Sequence, residues 1–454
     1  MRKLFSLLFI FLALNLHAER KTVGLVLGGG GAKGAAHVGV LKVLEEAGIP
    51  IDYIAGTSIG AIVGAFYACG HDAHEIDSLM RQLNWKLLLS DQSPHNNLFY
   101  HTKEKEWKYV LNLPIKKQIS LPAGIINGQN ILNLFSDLTV GYHDLSSFNN
   151  LPIPFACVAT DLTKGNSITL DSGSLPLAMR ASMSIPGIFM PVTLDSMILV
   201  DGGVLNNLPT NVVKAMGADI TIGVDLSTGK LTNEDLKTFN GVVEKIVDMM
   251  GNKEYLQNKK ELDLCLNPDL KGFGTMSFST GAMDSMYQSG IEVARKHLPE
   301  ILALKDKIYN NDTTLVAPLK PMDNKGWNPN DTIQIANIYF DSIPPKEYKW
   351  FKKKANLVEN SRVTIREINH AISVLDGLDL FSSVTYKLSD STPADLTFIL
   401  EKKALNQINI GFRFDTESMA SILLNTTFSQ KFFKGSELSV TAKLDKNPYL
   451  SLEY

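Results

Sequence analysis

Cysteine is scarce in these 454 residues. Cys69, Cys157 and Cys265 lie far apart, form no metal-type pair and cannot all pair with one another. A disulfide framework and a cysteine metal site are therefore excluded as expectations, and buried free thiols remain. Charge of one sign is equally scarce. Lys and Arg number 44 against 47 Asp and Glu, a net charge of −3, which leaves no electrostatic footprint for nucleic acid. Long hydrophobic runs are absent after the N-terminus, so no later segment reads as a membrane helix. What is present is a globular composition, 44% hydrophobic and 20% charged, with length for two to four domains.

The N-terminus is the exception to this evenness. Arg2 and Lys3 precede the apolar run "LFSLLFIFLALNL", which is too short to span a bilayer and is followed by "HAER". Residues 1–18 read as a secretory signal peptide ending at Ala18, although Leu16 stands where a smaller residue is usual. Export is the expectation that follows.

Residues 20–305 alternate short apolar runs ("TVGLVLG", "PIDYIAG", "IPFACVATDL", "MILVDGG", "ADITIGVDL") with helical patterns. That alternation predicts a mainly parallel α/β sheet with helices on both faces. Residues 306–330, rich in Asn, Asp, Pro and Gly, read as a linker. Residues 331–403 predict a small β-α-α-β-β unit. Its first strand packs Ile333, Ile335 and Ile338, and its best helix starts at Thr364, where Thr364 and Glu367 form a capping box. In residues 404–454 the period becomes two, along Ile408, Ile410, Phe412 and Phe414 and again along Leu438, Val440, Ala442 and Leu444. Such strands fit a transmembrane β-barrel and half-buried soluble strands alike.

Chemistry concentrates in three stretches. The first, "VLGGGGAKGAA", does not meet the phosphate-loop pattern, because Lys33 is followed by Gly34 and not by Ser or Thr. Gly29, Gly31 and Gly34 formally satisfy G-x-G-x-x-G. The acidic residue expected near the end of the next strand is missing there, since Asp52 lies at that strand's start. The second, Gly56-Thr57-Ser58-Ile59-Gly60, is G-x-S-x-G between an apolar strand and an apolar helix, the setting of a nucleophile elbow. Flanking Gly56 and Gly60 permit the sharp turn, and the helix N-terminus favours negative charge at Ser58. The third, "MILVDGGVLNNLP", ends a strand at Asp201 before Gly202 and Gly203. Asp201 is a candidate base for Ser58. His297 completes a triad in chain order, but its setting, "IEVARKHLPE", reads as a solvated helix end.

Together these stretches resemble the patatin-like phospholipases. That family carries an oxyanion loop G-G-G-x-[RK]-G, a serine in G-x-S-x-G and an aspartate in D-G-[GA]. Gly29-Gly30-Gly31-Ala32-Lys33-Gly34, Ser58 and Asp201-Gly202-Gly203 occur in that order. "ATDLTKG" from Ala159 and "SMSIPGIFMPV" from Ser182 also look like the family's, and the resemblance covers roughly residues 22–305. It implies a three-layer α/β fold, a Ser58–Asp201 dyad without histidine, and hydrolysis of phospholipid or other lipid acyl esters. An oxyanion hole from Gly29, Gly30 and Gly31 follows, with Lys33 adding positive field or holding the loop. Neither metal nor cofactor is required by this chemistry. The aromatic-rich region 84–126, with Trp85, Phe99, Tyr100, Trp107 and Tyr109, reads either as a lid or membrane-facing surface or as helix core.

The last two blocks look like a polypeptide-transport-associated (POTRA) domain followed by the opening strands of an outer-membrane barrel of the Omp85 type. Four strands are too few for a single-chain barrel, which needs at least about eight, so truncation within the barrel is the favoured expectation. The resemblance implies a Gram-negative outer membrane, with the catalytic domain periplasmic or at the cell surface. Expected partners are the lipid ester and the membrane, with a homodimer open. Two other functions stay open, an assembly or secretion component with an inactive α/β passenger, and a dinucleotide-binding protein.

Overall fold

The computed structural model describes residues 20–90, 109, 111–115, 123–228, 235–237, 239–309, 330–378, 380–402, 406–413, 421–429 and 437–454. The expected signal peptide and most of the expected linker lie outside these residues, as do Phe99, Tyr100 and Trp107.

Short apolar runs bounded by glycine become strands: β1 (Val23–Leu27), β2 (Tyr53–Thr57), β3 (Leu111–Pro114), β4 (Gly124–Ile126), β5 (Phe155–Asp161), β6 (Asn166–Leu170), β7 (Gly187–Phe189), β8 (Val192–Leu194), β9 (Met197–Asp201), β10 (Ile220–Val224) and β11 (Leu264–Leu266). Eight of them form one sheet in the order β11-β10-β1-β2-β5-β9-β8, with β6 on β5. From β11 through β5 the pairing is parallel, whereas β9 runs antiparallel to β5. Val23, Leu25 and Leu27 of β1 point into a large core beneath helices Ala35–Ala47, Ile59–Cys69 and Thr280–Lys296. Val26 faces the other way, into a smaller core with Ala55, Val158, Val212 and Val213. A sheet buried on both faces gives the continuous apolar runs seen in the sequence. Register then sets the site: Thr57 pairs with Val158, and Asp201 pairs with the next residue of β5, Ala159. The residue after β2 and the last residue of β9 thus lie at one level of the sheet.

The first unit runs past the expected boundary at 305. Helix Leu298–Ile308 buries Ile308 and then Tyr309 in the large core, and Lys21 N–H donates to the Ile308 carbonyl. The charged "KDK" just before them hides this last apolar anchor from a composition reading.

In the second unit β12 (Thr332–Phe340), β13 (Ser361–Thr364), β14 (Phe381–Leu388) and β15 (Ala394–Lys402) make a sheet in the order β13-β12-β15-β14. Thr364 accepts from Glu367 N–H and Glu367 returns the bond to Thr364 N–H, so the capping box starts helix Ile365–Asp376 at the expected residue. β13 was not expected, because four residues ahead of a helix cap are too few to display a period. β14 docks on helix Gln129–Leu138 of the first unit. Gln129 Oε1 accepts Val384 N–H at 2.8 Å, while Asn369 and Tyr386 donate to Asp137 at 2.6 and 2.8 Å. Burial pushes the Asp137 carboxyl up to about 7.

The last residues form an antiparallel meander of β16 (Asn406–Arg413), β17 (Ser421–Ser429), β18 (Glu437–Leu444) and β19 (Tyr449–Glu453), with β3 on the outer edge of β16. Its polarity is inverted. Asn409, Asn425, Thr427, Ser439 and Thr441 are buried on one face, where Asn425 Nδ2 donates to Thr441 Oγ1 at 2.8 Å and Thr427 Oγ1 to Asn425 Oδ1 at 3.0 Å. Phe412, Ile422, Leu424, Phe428, Leu444, Leu450 and Leu452 are exposed. The expected aromatic-rich region divides as well. Trp85 stacks on Phe278 at 4.6 Å, and Tyr109 reaches Thr441 Oγ1 at 3.4 Å.

Candidate active site

Ser58 sits at the turn between β2 and helix Ile59–Cys69 with φ 55° and ψ −122°, a left-handed conformation that costs energy in any residue with a Cβ. The turn is held from three sides. Ser58 N–H donates to Ser182 Oγ at 2.9 Å, Ser182 Oγ donates to the Val158 carbonyl at 2.6 Å, and Thr57 Oγ1 donates to the Asn206 carbonyl at 2.9 Å. Such over-determination maintains the strain and aims the hydroxyl at the end of an eleven-residue helix whose N-terminus favours negative charge.

The Ser58 hydroxyl lies near enough to Asp201 to pull its carboxyl's pKa down, so the two expected dyad members are neighbours. Its Oδ1 accepts Gly203 N–H at 2.7 Å, which orients the carboxyl, and its own N–H donates to the Ser184 carbonyl at 2.9 Å. Burial pushes the carboxyl up to about 6, against the pull of the Ser58 hydroxyl and the Gly203 hydrogen bond. A carboxylate of that basicity is a better proton acceptor than a solvated one and is ionised at neutral pH. His297 is elsewhere occupied. It ends helix Thr280–Lys296, and its Nδ1 lies 2.7 Å from Glu300 Oε2.

The glycine loop leaves β1 beside the dyad. A Cβ on Gly29 would fall 3.2 Å from Ser58 Cβ, which places the loop against the nucleophile. Of the three expected donors, one is engaged within the fold. Gly29 N–H is already donated to the Asn207 carbonyl at 3.2 Å, because the loop must be tied down where it leaves the sheet. The N–H groups of Gly30 and Gly31 meet no protein acceptor among the described residues. Gly31 has φ +59°, and a Cβ there would fall 2.3 Å from the Thr275 carbonyl, so only glycine fits. Lys33 is buried in the short turn Gly31–Gly34, and its N–H donates to the Gly30 carbonyl at 3.3 Å. Gly34 makes room for Ile59 and Gly56 for Gly60, so both serve the packing of loop and elbow. Gly202 makes room for the Val158 carbonyl.

Two polar residues at this site were not legible in the sequence. Ser182 lies within "SMSIPGIFMPV", where nothing marks it as the acceptor for Ser58 N–H. His37 is a lone histidine on a helix, yet it is fully buried with Nε2 2.8 Å from the Gly28 carbonyl. A carbonyl only accepts, so Nε2 carries the proton, and burial lowers the ring's pKa to about 4 and keeps it neutral. Asp52, the residue a dinucleotide site would use, is bonded to Arg20 at 2.6 and 2.7 Å and to Val23 N–H at 2.8 Å, at the opposite end of β2 from the glycine loop.

Residues 25–214 match the sequence profile of the family described as Patatin-like phospholipase. Over 306 residues the chain is 30% identical to Lysophospholipase nte1 of Aspergillus fumigatus, covering 62% of this chain and 18% of that protein. Over 304 residues it is 31% identical to Patatin-like phospholipase domain-containing protein 6 of Mus musculus, covering 60% and 20%. The chain spans about a fifth of the length of these curated relatives. Among solved structures it is similar to VipD from Legionella pneumophila, with TM-score 0.39 and 15% identity over 62% of this chain and 67% of that one.

Proposed function

We propose, on the match of residues 25–214 to the family described as Patatin-like phospholipase, that this chain hydrolyses acyl esters of phospholipids or lysophospholipids through Ser58 and Asp201. The observation that carries the reading is a strained serine at a helix N-terminus set beside a buried aspartate whose pKa is raised to about 6. Asp201 accepts the Ser58 proton as Ser58 Oγ bonds to the acyl carbon. The tetrahedral oxyanion is met by Gly30 and Gly31 N–H. The ester C–O bond then breaks, and Asp201 returns its proton to the departing alcohol. Water attacks the acyl-serine as Asp201 takes a water proton, and the acyl–Oγ bond breaks as Asp201 passes that proton to Oγ, which releases the fatty acid and restores Ser58 and the carboxylate.

A lipid substrate is supported by what surrounds the dyad. Helix Phe239–Lys260 lies against it through Gly251, where a Cβ would fall 3.2 Å from the Gly203 carbonyl. On its outer side Val242, Ile246, Met249 and Met250 are exposed, Met249 by 68%. An apolar surface beside a hydrolytic site suits acyl chains presented at an interface. The test is hydrolysis of phospholipid vesicles and of a short soluble ester, with a chelator present throughout. Ile246→Glu with Met249→Glu is expected to lower vesicle hydrolysis about tenfold or more while the soluble ester is cleaved within about twofold of wild type. Absence of wild-type activity on any acyl ester by folded protein would overturn the hydrolase reading, and equal losses on both substrates would remove the interfacial role of this helix.

The chain's location enters the same proposal. The inverted sheet β16–β19 supports an exported protein anchored in a Gram-negative outer membrane, its exposed face in lipid. Residues 331–402 then act as the POTRA-type spacer between anchor and enzyme. Leu424→Arg places a charge on the exposed face of β17 and is expected to cost insertion about 2–4 kcal/mol at bilayer mid-depth. Its membrane-embedded fraction after carbonate extraction should fall sharply. Recovery of the wild type in the soluble fraction would sink the anchor.

A further inference from the structure

The glycine loop is tied down at both ends and free between them. Upstream, Gly28 N–H donates to the Val224 carbonyl at 3.1 Å and Gly29 N–H to the Asn207 carbonyl at 3.2 Å. Downstream, Ala32 N–H donates to the Thr275 carbonyl at 2.8 Å. Between these ties lie Gly30 and Gly31, whose N–H groups meet no protein acceptor among the described residues. Glycine has the widest choice of backbone conformations, so the path of this stretch depends on how firmly its ends are held.

One tie comes from a side chain on another element. His37 Nε2–H, on helix Ala35–Ala47, donates to the Gly28 carbonyl at 2.8 Å. The Gly28 carbonyl and the Gly29 N–H belong to one planar peptide unit, so His37 at one end and Asn207 at the other fix its orientation. Gly29 is also the residue that lies against the nucleophile, its Cβ position 3.2 Å from Ser58 Cβ. The Gly28 carbonyl oxygen in turn meets the elbow helix, 2.7 Å from the Cβ position of Gly60. His37 therefore acts where loop, elbow and β1 converge.

The ring is an unfavourable occupant of this space. It is fully buried, and its Nδ1 has no hydrogen-bond partner among the described residues. An apolar side chain of similar size would strand no nitrogen there, but it would leave the Gly28 carbonyl without its side-chain donor. What histidine contributes at this position is the Nε2–H.

We propose that His37 is a positioning residue: its Nε2–H holds the Gly28–Gly29 peptide and so sets the glycine loop against Ser58. This rests on the hydrolase reading above, in which that loop meets the oxyanion. Contacts from the loop strengthen as charge develops on the acyl carbonyl, so loosening the loop lowers kcat and leaves KM in place.

The experiment uses the full chain, a short soluble ester and a fluorophosphonate that labels Ser58. His37→Leu removes the donor and is expected to lower kcat about 10- to 100-fold with KM within about threefold, and to slow phosphonylation by a similar factor. His37→Gln places an amide N–H at about the reach of Nε2 and is expected to bring kcat back to within about fivefold of wild type. A merely structural histidine would lower the urea midpoint of both variants and leave kcat per folded enzyme unchanged. Should the leucine variant not fold, His37→Asn decides in its place, because its amide ends near the position of Nδ1 and falls short of the Gly28 carbonyl. A kcat within about threefold of wild type in the folded leucine or asparagine variant overturns the inference and leaves the dyad standing. Equal losses in the leucine and glutamine variants overturn it too, since they assign the effect to the ring's shape and not to its N–H. Failure of both donor-lacking variants to fold does the same, because His37 is then needed by the fold at large. A wild type that neither turns over ester nor takes the phosphonate at Ser58 overturns the hydrolase reading, and this inference with it.

Discussion

Ser58→Ala and Asp201→Asn are each expected to lower kcat/KM for acyl-ester hydrolysis by about ten-thousand-fold, with the double variant no worse than the weaker single one. Non-additivity follows from the geometry. In the proposed mechanism the two side chains exchange one proton, so removing either abolishes the same step. The wild-type pH profile carries the same information. In the proposed mechanism Asp201 acts as a base only when ionised, and burial pushes its carboxyl up to about 6. Below that value kcat/KM should fall about tenfold per pH unit, and above it the profile should be level. An acid limb that stayed near pH 4 would assign the base to a solvated carboxylate and not to Asp201.

The same carboxyl makes an opposite prediction for stability. In an unfolded chain it titrates near 3.9, so its folded value is raised, and the folded state holds the proton more tightly. Stability is then greatest below about pH 4 for this group and is lost as pH rises through 6, by about 3 kcal/mol. Asp201→Asn, neutral at every pH, should therefore be more stable than wild type above pH 6 in urea unfolding, with the difference closing towards pH 4. Inactivation with gained stability is the signature of a group buried at a cost for function.

How far the molecule could be read from its sequence depends on whether a residue's role is local. The elbow serine, the glycine loop and the end of β9 are marked by neighbours within a few positions, because a sharp turn between strand and helix needs small residues around it. The capping box at Thr364 is legible for the same reason. Ser182, His37 and Asn207 act across 124, 9 and 178 positions, on Ser58 N–H, the Gly28 carbonyl and the Gly29 loop. Nothing in their immediate sequence distinguishes them from ordinary polar residues; in the run Asn206-Asn207 two identical neighbours have unrelated fates. The alternation in residues 404–454 showed two faces but not which was buried. That answer came from the asparagine and threonine ladder on the inner face, with leucines and phenylalanines outside.

Gly60→Ala is expected to cost the α/β unit at least about 3 kcal/mol and to abolish phosphonylation of Ser58, although the added group is one methyl. A Cβ at Gly60 would fall 2.1 Å from the Leu27 carbonyl oxygen and 2.7 Å from that of Gly28. Both are main-chain atoms where β1 turns into the glycine loop, so no rotamer change relieves the overlap. Helix Ile59–Cys69 must lift from the end of β1, and that separates Ser58 from Gly30 and Gly31, the two things the crossing holds together. Gly281→Ala is the matched control. It lies in the first turn of helix Thr280–Lys296 with nothing within 4 Å of the added Cβ, and the exchange should leave stability unchanged or raise it by up to about 1 kcal/mol. Urea unfolding and phosphonate labelling of both variants give the comparison. If Gly60→Ala folds and labels like Gly281→Ala, the contact between elbow helix and loop is not what fixes the active-site geometry.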